Sequence, residues 1–232
     1  MTVGSVLAWA GLVLAAFLIG SLNPATGVAR LLGKDLSTSG SGNPGATNAG
    51  RVLGRKWGVL VGVLDVLKGL VPTLVAGHLF GAHAAYAVGI AAVLGHIWSP
   101  FLRGRGGKGV ATTLGVVLGV HPWVALVVVV VFVVAVAVTR WVAAGSIFGA
   151  LSMLVVAVLV WTGHAPGDVW TGWWLTAIGV LVLWRHQNNV IGWWRQRRIE
   201  HLEESDEDAE GAPGAETGEE TGEEPDRERE QG

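Results

Sequence analysis

Residues 34–56 form a long polar interruption in an apolar sequence and read KDLSTSGSGNPGATNAGRVLGRK. Glycines let a backbone turn through positive φ, and successive N–H groups can then form a concave nest that binds anions. The planar guanidinium of Arg51 also suits a phosphate. The stretch predicts a phosphate site, and a flexible glycine–serine linker is the alternative. The candidate residues are Gly40, Ser41, Gly42, Asn43, Gly45, Thr47, Asn48 and Arg51.

A second glycine-rich segment, RGRGGKGVATT at residues 103–113, places three cations immediately before a predicted helix. Phosphate binds well at a helix N-terminus, where N–H groups are unpaired. The segment is not a P-loop, because Gly109 follows Lys108 and no strand precedes it. Ordinary interfacial charge beside lipid headgroups is the alternative, and it explains the cations but not the glycines. The candidates are Gly104, Gly106, Gly107, Lys108 and Gly109.

The third polar segment, WRHQNNVIGWWRQRRIE, covers residues 184–200. His186 and Asn189 are three residues apart and share one face of a helix. His186 is a candidate site residue, or else an interior histidine with satisfied hydrogen bonds. The tryptophans and arginines at 193–198 are typical of an interfacial membrane anchor.

Two ionisable residues, Asp65 and Lys68, lie inside an apolar segment at positions i and i+3. Ionisable groups at membrane depth are costly and are by default functional. We therefore predict a supporting role at the site, with a purely structural ion pair as the alternative.

The composition is that of a membrane protein, because 51% of the 232 residues are hydrophobic and only 15% are charged. The part before residue 200 has fourteen cations and three acids, whereas the part from Glu200 onward has fifteen acids and two arginines. We predict a membrane domain at 1–199 and an acidic, disordered cytoplasmic tail at 200–232. Without cysteine, disulfides and thiolate chemistry are excluded.

The apolar runs predict an all-α integral membrane protein with seven transmembrane helices. The N-terminal run lacks the cationic leader of a secretory signal, so we interpret it as the first span. The fourth run covers only about half a bilayer. The predicted spans are 5–29, 57–80, 84–101, 109–120, 123–139, 142–163 and 168–184.

The distribution of lysine and arginine between loops predicts the orientation. Loops after odd-numbered spans carry these cations, and loops after even-numbered spans carry none. The positive-inside rule then places the N-terminus outside and the C-terminus in the cytoplasm. If the short fourth run did not cross the membrane, every later loop would lie on the opposite side. The distribution of lysine and arginine favours a fourth run that crosses.

In this order, the three polar segments resemble the bacterial acyl-phosphate:glycerol-3-phosphate acyltransferases, the PlsY family. The matching stretches are GSGNPGATNAGRVLGRKWGVLVGVLDVLKG at 40–69, GHIWSPFLRGRGGKGVAT at 95–112 and RHQNNV at 185–190. The resemblance extends from about Gly20 to Val190. The chain departs from the family pattern at Ser37, where the family usually has an arginine. It also departs after the third motif, where Glu200 lies two residues beyond the position of the glutamate usual in the family.

The resemblance implies an enzyme of the bacterial inner membrane with a cytoplasmic active site. It would transfer a fatty acyl group from acyl phosphate to the 1-hydroxyl of glycerol 3-phosphate, giving lysophosphatidic acid and phosphate for phospholipid synthesis. It implies no cofactor, no metal and no nucleic-acid partner. The catalytic residues would be Ser41, Arg51, Lys108, His186 and Asn189, with the remaining residues of the first two motifs binding substrate.

The residues favour direct transfer, since no Ser/His/Asp set or cysteine nucleophile is visible. The proton of the glycerol hydroxyl would pass to a substrate phosphate oxygen, with His186 as the other candidate base. Ser41 is the residue that could in principle form an acyl-enzyme. The alternative class of function is a transporter of a phosphorylated metabolite. A scaffold at the lipid surface is a third option, and it does not explain the arrangement of the glycines.

Overall fold

The structure, a computed structural model, describes residues 3–211. Within that range it is all-helical, as predicted, with ten α-helices and one short 3-10 helix at Pro100–Leu102. The α-helices are α1 Val3–Ser21, α2 Pro24–Leu31, α3 Ala46–Val52, α4 Arg55–Phe80, α5 Ala82–Ile97, α6 Val110–Val120, α7 Pro122–Thr139, α8 Val142–Trp161, α9 Val169–Arg185 and α10 Gln187–Gly211.

The chain divides into two compact units, residues 1–189 and residues 190–232. The first unit contains the helices from α1 to α9, and all the candidate site residues belong to it. The described part of the second unit, 190–211, is helical. Within it the rings of Trp193 and Trp194 meet edge to face at 5.1 Å, and the guanidinium of Arg197 lies 5.2 Å from the centre of the Trp193 ring.

The acidic segment predicted to be disordered differs from that expectation over its first twelve residues, because 200–211 continue helix α10. Glutamate and alanine are good helix formers, which suits this continuation. Residues 212–232 lie outside the described residues, and the division into a domain at 1–199 and a tail at 200–232 stays a prediction.

The first predicted span, 5–29, is two helices in the structure, because the chain breaks at Asn23. The Asn23 side chain caps α2 by accepting the Thr26 N–H at 2.8 Å, and Pro24 occupies the first turn, where a missing N–H is harmless. The amide of Asn23 also donates to the Pro44 carbonyl at 2.9 Å. This break therefore ties the first helices to the polar loop before α3.

Glycines allow the long helices of the first unit to approach closely. A Cβ at Gly20 would collide with the Ala92 carbonyl, and one at Gly95 would collide with the Phe17 carbonyl, which brings α1 against α5. Gly115 lies in the same way against the Val66 carbonyl, which brings α6 against α4. Small residues at helix contacts are the usual packing device in membranes.

Five segments of the described chain are long and apolar enough to cross a membrane, which makes this a multi-pass membrane protein. Helix α6 is a shorter apolar helix of 11 residues, and α9 has 17 residues. The five segments are Val6–Leu31, Arg55–Phe80, Ala82–Leu102, Pro122–Thr139 and Val142–Trp161.

A polar cluster joins the start of α5, the α6–α7 junction and the start of α9. The Tyr86 hydroxyl lies 2.9 Å from His121 Nε2 and 2.8 Å from Thr171 Oγ1. The Trp174 indole N–H donates to the Tyr86 carbonyl at 3.1 Å. Asp168 caps α9 by accepting the Thr171 N–H at 2.8 Å. These contacts fix the end of the bundle opposite to the glycine-rich segments.

Candidate active site

A cavity of about 520 Å³ in the first unit brings together residues from all three polar segments. Its walls come from the loop before α3, helices α3 to α9 and the start of α10. The predicted site residues that line it are Ser41, Asn43, Gly45, Thr47, Asn48, Arg51, Asp65, Lys108, Gly109, His186 and Asn189.

Asn48 organises the first polar loop. Its side chain is 1% exposed, and its carbonyl oxygen accepts the Ser41 N–H at 2.9 Å. Its amide nitrogen donates to the carbonyls of Ser39 at 3.0 Å and Leu36 at 3.3 Å. Asn48 was predicted to bind substrate, and in the structure it uses both ends of its amide to hold the loop that presents Ser41.

The helix that carries Asn48, α3, lies within the stretch predicted to be a loop. Gly45, which precedes α3, and the first two residues of α3 line the cavity, and the N–H groups in the first turn of a helix have no partner within that helix. Gly40 and Gly42 adopt φ of 62° and 69°, which side chains rarely tolerate. Neither lines the cavity, so these two glycines shape the loop around Asn48.

The second glycine-rich segment is pressed against the end of α5. The N–H groups of Gly106 and Gly107 donate to the carbonyls of Ile97 at 3.0 Å and His96 at 3.1 Å. A Cβ at Gly106 would collide with the His96 carbonyl, and one at Gly107 would collide with the His96 ring. Neither glycine lines the cavity, nor does Gly104; they set the path that delivers Lys108 to it.

Arg185 and Asn189 hold this loop from the other side. The Arg185 guanidinium donates to the carbonyls of Gly107 at 3.2 Å and Gly106 at 3.4 Å. The Lys108 ammonium donates to Asn189 Oδ1 at 2.6 Å. The second and third polar segments, about eighty residues apart in sequence, therefore form one structure.

The cations of this cluster act on one another. Burial, followed by the charges of Arg185 and Arg51, lowers the pKa of Lys108 below its ordinary value. Within the described part of the chain, no acidic side chain forms an ion pair with Arg51, Lys108 or Arg185. An anionic ligand would therefore reduce the repulsion between these cations. The arrangement is suited to phosphate groups, which accept several charge-assisted hydrogen bonds.

His186 is buried, at 2% exposure. Its Nδ1 donates to the Val182 carbonyl at 2.8 Å, so that Nε2 carries the lone pair of the neutral ring. Burial is the main cause of a lowered pKa at His186, and the charges of Lys108 and Arg185 add to it. The ring is therefore neutral at pH 7 and can accept a hydrogen bond.

We predict that His186→Ala reduces kcat less than Lys108→Ala or Arg51→Ala does, because the substrate phosphate can take the proton without the imidazole. Steady-state kinetics of the three variants provide the measurement. A general base contributes about a hundredfold or more. If His186→Ala lowers kcat by more than either cation variant, with KM unchanged, the imidazole is the base.

The part of the cavity that runs between α6, α7 and α8 is apolar, and we call it the apolar arm. Small side chains on α8 make room for it, namely Ala143, Gly145, Ser146, Gly149 and Ala150. Val129 and Val133 of α7 line this arm although they are 38% and 55% exposed. The arm is therefore open sideways, toward the surface of the bundle.

Two residues of the site, His96 and Arg185, were missed as candidates in the sequence. His96 stands in the GHIWSPF stretch directly before the glycine-rich segment. Arg185 begins the RHQNNV stretch, but it was counted only among the loop cations that predict the orientation. Both form hydrogen bonds with the backbone of the loop at Gly106 and Gly107. Backbone contacts of this kind produce no recognisable sequence pattern. Among the described residues, no group of three or more His, Cys, Asp or Glu is placed to hold a metal ion.

Fold and site together define a multi-pass membrane protein whose cavity joins cation-rich, glycine-lined loops to an apolar arm. A sequence model of the family Glycerol-3-phosphate acyltransferase matches residues 10–196. The chain therefore belongs to the glycerol-3-phosphate acyltransferase family and is an acyltransferase, which confirms the resemblance seen in the three polar segments.

Individual relatives agree with this assignment. The glycerol-3-phosphate acyltransferase of Aquifex aeolicus is 41% identical over 181 residues, 77% of this chain and 92% of that protein. The one from Geobacter sulfurreducens is 43% identical over 177 residues, 75% of this chain and 88% of that protein.

Two crystal structures of PlsY (YgiH), an integral membrane glycerol 3-phosphate acyltransferase, are similar in fold. The glycerol 3-phosphate form has a TM-score of 0.76 at 40% identity and covers 82% of this chain and 94% of that one. The lysophosphatidic acid form has a TM-score of 0.73 at 39% identity and covers 82% and 93%.

Proposed function

We propose that this enzyme transfers a fatty acyl group from acyl phosphate to the 1-hydroxyl of glycerol 3-phosphate, giving lysophosphatidic acid and phosphate. The observation that carries the proposal is a single cavity with Arg51 and Lys108 at one end and an apolar arm at the other. One end suits two phosphate groups, and the other suits an acyl chain.

The chemistry needs little more than positioning. Acyl phosphate is already activated, because phosphate is a good leaving group. The 1-oxygen forms a bond to the acyl carbon, the bond from that carbon to the phosphate oxygen breaks, and the hydroxyl proton passes to a phosphate oxygen. The site then contributes proximity and stabilisation of the developing negative charge.

Direct transfer is part of the proposal. Ser41 lines the cavity. In the described part of the chain no hydrogen bond joins Ser41 to a histidine, and the Ser41 N–H donates to Asn48 Oδ1. Mass spectrometry of enzyme quenched during turnover tests this step. An acyl group trapped on Ser41 would replace direct transfer by an acyl-enzyme route.

We further propose seven spans, with α6 crossing and the site on the cytoplasmic face of the bacterial inner membrane. Two contacts support it: Lys108 meets Asn189 at one end, and Tyr86 meets His121 at the other. Helix α6 runs between these two ends and rises about 16 Å, which is close to the rise of α5 from Tyr86 to His96. The positive-inside pattern supports the cytoplasmic orientation.

The proposed reaction is tested with purified full-length protein in detergent, acyl phosphate and labelled glycerol 3-phosphate. We expect labelled lysophosphatidic acid and inorganic phosphate in equal amounts, with acyl-CoA giving no product in a parallel reaction. If lipid product forms with acyl-CoA but not with acyl phosphate, the proposed donor is wrong. If neither donor gives lipid product, the proposed acyltransferase reaction is wrong. The transporter and scaffold alternatives predict no lipid product.

We expect Gly149→Leu to shorten the acyl chain that the enzyme accepts. A Cβ at Gly149 makes ordinary contact with Val128 at 3.4 Å, so the helix tolerates a side chain that then fills the apolar arm. The kcat/KM for a sixteen-carbon acyl phosphate should fall about tenfold or more relative to an eight-carbon one, since each buried methylene contributes about 0.8 kcal/mol.

The matched control for this change is Gly11→Leu, at a helical glycine of α1 with no atom near its Cβ position. It should leave the ratio between the two chain lengths unchanged. If Gly149→Leu lowers both rates equally, the arm between α6, α7 and α8 does not hold the acyl chain.

A further inference from the structure

A buried ion pair inside α4 contacts a part of the chain that is far away in sequence. The Lys68 ammonium lies 2.9 Å from Asp65 Oδ1 and also donates to the Leu22 carbonyl at 2.8 Å. Lys68 and Asp65 are 8% and 2% exposed. Ionisable groups at membrane depth are costly and are by default functional. The contact with Leu22 indicates that the function of this pair involves the turn between α1 and α2.

The turn at Leu22 connects the ion pair to the first polar loop, residues 36–45. The Leu22 carbonyl is bound by Lys68, and the next residue, Asn23, donates to the Pro44 carbonyl at 2.9 Å. Both chain neighbours of Pro44 line the cavity. Lys68 therefore acts on the cavity wall through two consecutive residues of the turn.

His96 connects the same ion pair to the second glycine-rich segment. Its Nδ1 lies 3.5 Å from Asp65 Oδ1, and a carboxylate at this distance attracts an N–H at that atom. The ring also packs against Gly107, where a Cβ would collide with Nε2. The His96 carbonyl accepts the Gly107 N–H at 3.1 Å, and Lys108 follows directly in the chain. Asp65 therefore acts on the path of Lys108 through the His96 ring.

We propose that Asp65 and Lys68 are positioning residues that fix the first polar loop and the second glycine-rich segment relative to each other. The first leads into α3, which carries Arg51, and the second leads to Lys108, so their separation sets the distance between two cations of the cavity. Neither Asp65 nor Lys68 has to contact the substrate for this role. The inference rests on the proposed function, because acyl transfer is one of its two readouts.

The test compares Asp65→Leu and Lys68→Met with the double variant that combines them. Each single variant leaves one buried group without its partner and should lower Tm. The double variant removes both charges and should recover most of the Tm, because apolar residues of similar volume can often replace a buried ion pair without loss of stability. Activity should not recover with the Tm, because the double variant still lacks the contacts with Leu22 and His96.

Two readouts are measured on the purified full-length protein. The kcat/KM for glycerol 3-phosphate should fall about a hundredfold in the double variant, since a displacement of about 1 Å at a reacting group can cost that much. Hydrogen exchange, followed by mass spectrometry, should be faster than in the wild type at residues 36–45 and 103–109, while helix α6 exchanges as in the wild type. A pair that serves stability alone would change neither readout once the Tm is recovered.

The variant Asn23→Ser separates the two connections. Serine can still cap α2, but it lacks the amide that donates to the Pro44 carbonyl, and the ion pair is untouched. Exchange should therefore become faster at residues 36–45 and stay as in the wild type at 103–109. This variant tests the first connection even where the double variant does not fold, and unchanged exchange at 36–45 overturns the proposal.

The matched control is Thr73→Val, also on α4. The Thr73 hydroxyl is buried without a partner in the described chain, and the residue does not line the cavity. This variant should leave both readouts as in the wild type. If the double variant recovers activity together with Tm, or loses activity with unchanged exchange in both loops, the positioning role is wrong. If the wild type gives no acylated product, the proposed function is wrong, and the exchange measurements still decide the positioning role.

Discussion

Lys108→Met is expected to lower kcat/KM for glycerol 3-phosphate by about a hundred- to a thousandfold, the cost of removing one preorganised charge from a transition state. Lys108 is brought into the cavity by a loop fastened to α5 through the His96 and Ile97 carbonyls, and its ammonium is oriented by Asn189. Methionine preserves most of the length of the side chain, so the loss isolates the charge.

Lys34→Met is the matched control, because Lys34 is an exposed cation that does not line the cavity. It should retain nearly full activity. The lowered pKa of Lys108 supplies a second readout, since the cation is present below that pKa and is lost as the pH rises through it. Wild-type activity should therefore decline at a more acidic pH than an ordinary lysine would give. A loss below tenfold for Lys108→Met would remove Lys108 from the catalytic residues.

Gly106→Ala should reduce activity by about a hundredfold or more, although Gly106 does not line the cavity. The added Cβ would collide with the His96 and Ile97 carbonyls, and backbone cannot move aside as a flexible side chain can. The loop must shift, and a displacement of about 1 Å at a reacting group can cost a hundredfold. Steady-state kinetics, together with a thermal melt of the detergent-solubilised protein, separate a misplaced loop from a lost fold.

Gly104→Ala in the same loop is the control. Its φ of 77° makes alanine strained, but no atom lies within 4 Å of the Cβ position. Such a change costs roughly 1 kcal/mol of stability and should leave most of the activity. If the two variants lose the same activity, backbone conformation rather than close packing determines the position of Lys108.

Residue types and their order were enough to predict the class of fold and the three polar segments of the site. Arg51, Lys108, His186 and Asn189 reach one cavity because the helices between them return the chain to the same end. The pairing of Lys108 with Asn189 could not be predicted, since it depends on how α5 and α9 pack. Asn48 could equally have bound a ligand or a loop, and only the fold shows that it holds the loop.

Helix α3 was missed for a related reason. Thr47, Asn48 and Gly50 are weak helix formers, and the helix is stabilised by packing of Ala49 against α4 in a small core with Val61. His96 was missed because its contribution is a carbonyl group and a ring face, neither of which has a sequence signature. The break at Asn23 did have one, since Asn-Pro is a turn and helix-start signal.

The sideways opening of the apolar arm between α7 and α8 has a consequence for substrate supply. A lipid-soluble donor can diffuse within the leaflet and enter the apolar arm past the exposed valines of α7 without passing through water. Glycerol 3-phosphate is water-soluble and enters from the aqueous side. The rate should then follow the mole fraction of donor among the surrounding lipids rather than its amount per volume of solution. The single-chain product, formed with its tail already among lipids, is left in the same lipid layer.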